Sequence, residues 1–244
     1  MSDFTETNRS YFDNMASTYK GRFGDALRML STETLQHRDW ISNRWNDTEA
    51  AHGQEIKMME YACGIGAISM TLAPFVTQVI GIDVSENMVA EFNQNANTLG
   101  LSDKVAGYKA DLLAENAPAP EIESACTDLD LVTISMALHH FEHPDKALKR
   151  LANRLKGGGV CYIIDLVAHT NAHGHEHGQY QAEFAEAAHT IKSHGFSRED
   201  MQRLFEGAGL STGFDYEVLP QPLTFSTEER SFSKTVFIAR AQRA

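Results

Sequence analysis

Two acids flanking a pair of glycines carry the first chemical signal in this chain. Glu60 closes a short apolar stretch, Gly64 and Gly66 follow in a tight turn, and Asp83 closes a second apolar stretch. An apolar piece of helix length lies between. Residues 56–83 therefore predict a strand–turn–helix–strand unit with an acid at each strand tip, which makes a crevice for an adenine nucleoside. Glycine lets the backbone approach a ligand where a Cβ would clash. The helix starting near Gly66 points free N–H groups at a carboxylate or phosphate. Asp83 is placed to accept hydrogen bonds from two ribose hydroxyls. Further along, A-D-L ends another strand at Asp111, and S-M-A-L-H-H-F puts His139 and His140 after a fourth. A histidine there is a base toward a hydroxyl or thiol, or else structural or pocket-lining, and His140 is the better catalytic candidate. Asp165, near the end of a fifth strand, faces a substrate or caps a turn. Cys63 reads as a small buried residue rather than a nucleophile.

The elements that position these groups alternate. Strands are predicted at 56–61, 78–83, 105–109, 129–135 and 160–166, with two more at 213–219 and 233–239, the last antiparallel. Helices are predicted at 66–73, 85–99, 144–155 and 197–208. Ser85 is a good N-cap, Gly100 a helix end, and Pro144 suits a first turn. Residues 157–159, three glycines, read as the turn into the fifth strand, and Pro118 and Pro120 mark an exposed connection. The result is an α/β fold with a doubly wound, mostly parallel seven-stranded sheet. Residues 7–45 read as helices, with Tyr11, Phe12, Met15 and Tyr19 at helical spacing. We divide the chain into an N-terminal helical lid, 1–50, and a main domain, 51–244, with a substrate-covering insertion at 168–196. That insertion holds Tyr180 and Phe184, which with Tyr11 and Phe12 form a two-part aromatic cover over an apolar pocket. It also holds His169, His173, His175, His177 and Glu176. Their spacing and the flanking glycines favour a lid loop that picks up metal opportunistically over a built metal site.

The chain has 244 residues, 42% of them hydrophobic, enough for one α/β domain with a sizeable core. A formal net charge of −12 argues against nucleic acid or anionic lipid as partner, because the long-range field repels both. No apolar run approaches the ~20 residues that span a bilayer, and the first residues lack a signal pattern. Three widely separated cysteines do not form a disulfide framework. A reducing, cytoplasmic setting is the expectation. A neutral or cationic small molecule suits the charge. The oligomeric state is not readable from the residues.

The ordered set of Glu60, G-I-G-A-I-S, Asp83, A-D-L, S-M-A-L-H-H-F and K-G-G-G-V resembles the class I S-adenosylmethionine (SAM) methyltransferases. Y-F-D-N-M-A-S-T-Y at 11–19 is similar to a helix of their quinone-biosynthesis and small-molecule branch. Ala62 departs from the family, which often has glycine there. The resemblance implies SAM as cofactor, with Glu60 orienting its amino group and Ala62, Cys63 and Gly64 lining its methionine part. Asp83, beside Val84, would hold the ribose diol, Met88 would pack on the adenine, and Asp111 would accept from its amino group with Leu112 alongside. Ser135 and Met136 would flank the sulfonium, and Tyr19 and Arg22 would close over the cofactor. The resemblance implies methyl transfer to a small-molecule acceptor. The N-terminal region is similar to fungal secondary-metabolite methyltransferases, which points to S-methylation of a gliotoxin-like dithiol, with O- or N-methylation as the alternative. A nicotinamide-dependent oxidoreductase shares the glycine turn and Asp83 but not the rest of the set. A non-catalytic regulator on the same fold is the other reading from a different class.

Overall fold

β-Branched apolar runs alternate with helices along the chain, and the parallel strands they form must be covered on both faces. A computed structural model describes residues 2–168, 187–226 and 231–244. The calls on the 169–177 histidine tract, Tyr180 and Phe184 lie outside these residues. The strands are β1 (Lys57–Tyr61), β2 (Gln78–Asp83), β3 (Val105–Lys109), β4 (Leu129–Ser135), β5 (Leu155–Leu166), β6 (Thr212–Val218), β7 (Leu223–Ser226), β8 (Ser231–Lys234) and β9 (Val236–Gln242). Seven of them form one sheet in the order β3-β2-β1-β4-β5-β9-β6, and β7-β8 is a separate hairpin. The first five are parallel, while β9 runs antiparallel to β5 and β6. The order reverses between β1 and β4. In doubly wound sheets that reversal opens a crevice at the carboxyl ends of the strands.

The helices are α1 (Asp3–Gln36), α2 (Arg38–Ile41), α3 (Ala67–Leu72), α4 (Glu86–Thr98), α5 (Pro120–Ala125), α6 (Pro144–Ala152) and α7 (Arg198–Gly207). Ser85 caps α4 by accepting from Met88 N at 3.1 Å. Ser197 and Asp200 form a reciprocal capping box on α7. Helix α1 is one 34-residue rod rather than several helices. It packs on α3, α4 and β7 across the strand ends. Asp13 ties it down, accepting from Ser85 Oγ at 2.6 Å and Asn87 N at 3.1 Å. The three glycines at 157–159 lie inside β5, where the register against β4 slips between Leu129 and Leu131. Helix α5 occupies the stretch expected to be an exposed connection. None of the described helices is long and apolar enough to cross a membrane.

Phe92, fully buried on α4, explains three of the glycines. A Cβ on Gly66, Gly81 or Gly107 would sit 2.6, 2.5 or 2.8 Å from its ring. The ring fills the space that these glycines leave between α4 and the sheet. Gly81→Ala should therefore cost about 1–3 kcal/mol by overpacking. Urea unfolding measures this, and adding Phe92→Leu to the alanine variant should recover part of the loss. Full additivity of the two changes would show that the glycine matters for another reason.

Candidate active site

The tips of β1, β2 and β3 each present an acid to one cavity. Glu60, Asp83 and Asp111 line it, together with Ala62, Cys63 and Gly64 from the turn and Ser135 and Met136 from the end of β4. Its volume is about 740 Å³, enough for a nucleoside and a second small molecule. Gly64 has φ +50° and its missing Cβ would meet only open space, so the backbone itself forms that wall. Ala62 and Met136 hold φ of +54° and +52°, in the left-handed region that a non-glycine residue enters at a cost. Both lie against the cavity, so the strain falls where the wall is shaped.

Each acid is oriented. Asp83 accepts from Gly64 N and from Ser85 N, both at 2.9 Å, one on each oxygen. Glu60 accepts from Ser69 N at 2.9 Å and Ser69 Oγ at 2.6 Å, both on the same oxygen. Among the described residues nothing else bonds to Glu60, and its other oxygen is left to the cavity. Ser69 N is one of the α3 donors expected to face a ligand, so Glu60 satisfies part of that helix end. Asp111 accepts from Leu113 N at 2.9 Å, with Tyr61 Oη at 3.4 Å on the same oxygen. Burial raises the Glu60 carboxyl to about 7, against the lowering effect of Ser69. Burial raises Asp83 to about 6, against its backbone N–H partners.

The rest of the wall is aromatic. Tyr11, Phe12, Tyr19 and Phe23 come from α1, Phe141 from the turn after β4, and Phe225 from the β7-β8 hairpin. The Tyr19 and Phe23 rings lie 4.8 Å apart, and Phe23 and Phe225 6.1 Å apart. Met88, buried on α4, packs with Ala16 and Ile65 where α1 crosses the turn. His139 and His140 also line the cavity, with ring centroids 4.1 Å apart. The His140 Nδ1 lies 2.8 Å from the Thr190 carbonyl, and Phe12 meets its ring edge-on at 5.2 Å. Burial, then the neighbouring His139, hold His140 well below the usual imidazole range.

Most of the predicted site residues converge here, including Val84, but three stand elsewhere. Asp165 does not face the cavity. Its side chain is fully buried behind His139 because three N–H groups converge on it. Arg22 lies outside the cavity wall, with its guanidinium over the Phe23 ring at 5.6 Å. Leu112 is in the core beneath the wall, while Asp111 and Leu113 on either side of it line the cavity. Sequence reasoning missed Ser69 as the clamp on Glu60, Asp13 as the anchor of α1, and the hairpin that supplies Leu223 and Phe225. The aspartate of the Y-F-D run was a signal for the anchor. The hairpin carried no motif.

The geometry accords with three comparisons. Residues 59–163 match a family described as a methyltransferase domain. An uncharacterized methyltransferase of Schizosaccharomyces pombe is 28% identical over 189 residues, 77% of this chain and 61% of that protein. A demethylmenaquinone methyltransferase of Bacteroides fragilis is 26% identical over 164 residues, 66% of this chain and 61% of that protein. The matches thus span about three-fifths of these curated relatives. Among solved structures, the magnesium protoporphyrin IX methyltransferase of Synechocystis with bound S-adenosylhomocysteine superposes with a TM-score of 0.62. It is 15% identical, with 99% of this chain and 100% of that one covered, a likeness of fold.

Proposed function

We propose, from the premise that this chain belongs to the class I SAM-dependent methyltransferases, that it methylates a small-molecule acceptor held in the cavity described above. The observation that carries this reading is the convergence of Glu60, Asp83 and Asp111 on one wall, each oriented by its own hydrogen bonds. The residues fit the cofactor. The free oxygen of Glu60 suits an ammonium group, Asp83 a ribose diol, and Asp111 an adenine amino group. The bare backbone at Gly64, with Ala62 and Cys63, leaves room for the amino-acid chain. Val84 and Met88 would hold the adenine end, Ser135 and Met136 the sulfonium end, and Tyr19 would close the cofactor site. When bound, the cofactor supplies an electrophilic methyl group on a cationic sulfur. The protein's task is then to hold the acceptor in line and exclude water, and such positioning is worth ~7–11 kcal/mol.

The acceptor atom we favour is a thiol of a compact, gliotoxin-like dithiol. Tyr11, Phe12, Phe23 and Phe225 give an apolar aromatic seat, and the proton acceptors beside it are imidazoles. A thiol with a pKa of ~8.5 gives up its proton to such a base more readily than an alcohol does. Calorimetry with SAM and S-adenosylhomocysteine tests the cofactor site, and mass spectrometry of a thiol, phenol and amine panel tests the acceptor. We expect binding of both nucleosides and a gain of one methyl per thiol. Methylation of phenols or amines alone would retire the thiol reading, and no heat with either nucleoside would retire methyl transfer itself.

A further inference from the structure

The ends of β4 and β5 are joined by a buried carboxylate with no task in the cofactor site. Asp165 Oδ1 accepts from Leu166 N at 2.7 Å and Oδ2 from His139 N at 3.1 Å. Oδ1 also meets His139 Nδ1 at 2.7 Å. One side chain thus grips both the backbone and the ring of His139, fixing where the imidazole sits and how it is turned. With Nδ1 against a carboxylate oxygen, the ring proton sits on Nδ1 and the lone pair on Nε2. The backbone N–H groups of Lys192 and Ser193 donate to the His139 carbonyl at 2.9 and 3.0 Å, holding the residue from its other side. His140 is held differently. Its Nδ1 faces a carbonyl, which only accepts, so its Nε2 also carries a lone pair, but among the described residues no anion stands behind the ring. A proton arriving at His139 would be balanced by Asp165, whereas one arriving at His140 would sit unbalanced against Phe12 and a second imidazole.

We propose that His139, set by Asp165 as its positioning residue, is the base that takes the proton of the methyl acceptor, in place of His140. This inference rests on the methyl-transfer reading above. The acceptor S–H bond breaks, its proton bonds to His139 Nε2, and the electron pair stays on sulfur as the nucleophile. Positive charge then lies on His139 beside the negative charge of Asp165, and the proton later leaves to solvent.

Asp165→Asn breaks this arrangement in a defined way. The amide has one acceptor oxygen for three N–H groups. If the oxygen serves His139 N, the NH₂ faces His139 Nδ1 and drives the ring proton to Nε2. The test uses Asp165→Asn and His139→Gln, with folding followed by thermal melting and cofactor affinity by calorimetry. For an alkyl thiol the turnover of both variants should fall about 100- to 1,000-fold, the usual worth of a general base. For a nitro-substituted aromatic thiol, already ionised at neutral pH, turnover should be nearly unchanged. Without any substrate, ¹⁵N imidazole spectra should show the His139 proton on Nδ1 in the wild type and displaced to Nε2 in Asp165→Asn, with His139→Gln identifying the signal. Equal losses for both thiols would mark a merely structural pair and overturn the proposal, as would a wild-type His139 ring proton found on Nε2. If Asp165→Asn does not fold, His139→Gln alone decides by the same contrast between thiols. Failure of the parent reading is visible separately, because the wild type would then methylate neither thiol.

Discussion

Replacing Asp83 by Asn should weaken cofactor binding about 100- to 1,000-fold while leaving the protein folded. Both carboxylate oxygens already hold a backbone N–H, from Gly64 and Ser85. Each oxygen keeps a further lone pair for a ribose hydroxyl. An amide offers one oxygen and one NH₂, so one backbone donor and one hydroxyl meet hydrogen where they need an acceptor. Hydrogen bonds to a charged group are worth ~1.5–3 kcal/mol each; one hydroxyl loses its acceptor and the other keeps a neutral one worth about half as much, a loss of roughly 2–4.5 kcal/mol that brackets the hundred- to thousandfold range. Calorimetry with SAM gives the affinity, and thermal melting of the ligand-free variant checks the fold. A 2′-deoxy analogue of S-adenosylhomocysteine completes a double-mutant cycle. Its affinity should drop in the wild type and drop much less in the variant, because the contact being removed is the same one. A variant that binds SAM within about threefold of wild type would show that the diol does not rest on Asp83.

The parts of this molecule that the sequence discloses are those encoded locally. β2, β3 and β4 begin and end where their apolar runs do, and Ser85 and Ser197 cap helices as their positions suggest. The acids at the strand tips are legible for the same reason, since a strand end is a local feature and the parallel order brings such ends together. Contacts between distant segments are not legible. Asp165 looks like a substrate-facing acid because strand alternation does not reveal the turn at 138–140 folding His139 back onto it. The β7-β8 hairpin is hidden in a polar stretch, and only tertiary packing shows that Leu223 and Phe225 reach the cavity. Helix α1 reads as helix, but its 34-residue continuity past Gly21 and Gly24 comes from packing across α3, α4 and β7, which outweighs the ~1 kcal/mol that each glycine costs. In the sequence Ser69 is only the last residue of the run G-I-G-A-I-S. Its hydroxyl matters because Glu60 lies within 2.6 Å of it in space, nine positions away in sequence.

The two buried carboxyls should make cofactor affinity depend steeply on pH. Glu60 is raised to about 7 and Asp83 to about 6, in each case by burial. Without ligand both are largely protonated at pH 5, whereas an ammonium group and a diol call for the ionised forms. Ionising Glu60 at pH 5 costs about a hundredfold in affinity and Asp83 about tenfold, so binding should be ~1,000-fold weaker there than at pH 7.5. Around pH 6.5 binding should also release protons. Calorimetry in two buffers of different ionisation enthalpy reads that release, and Glu60→Gln should remove the steeper part of it. The effect on folding has the opposite sign. A carboxyl whose pKa is raised in the folded state loses its proton first in the unfolded chain. The contribution to stability is therefore greatest below the unfolded value of ~4, declines as pH rises toward 6–7, and is level above that. Saturating cofactor counters the decline, because a ligand stabilises in proportion to the logarithm of its affinity. The melting-point gain on adding SAM should widen from pH 5 to pH 7.5 even as these two carboxyls contribute less to the stability of the ligand-free protein. A gain that stays constant across that range would mean that neither carboxyl changes protonation when the cofactor enters.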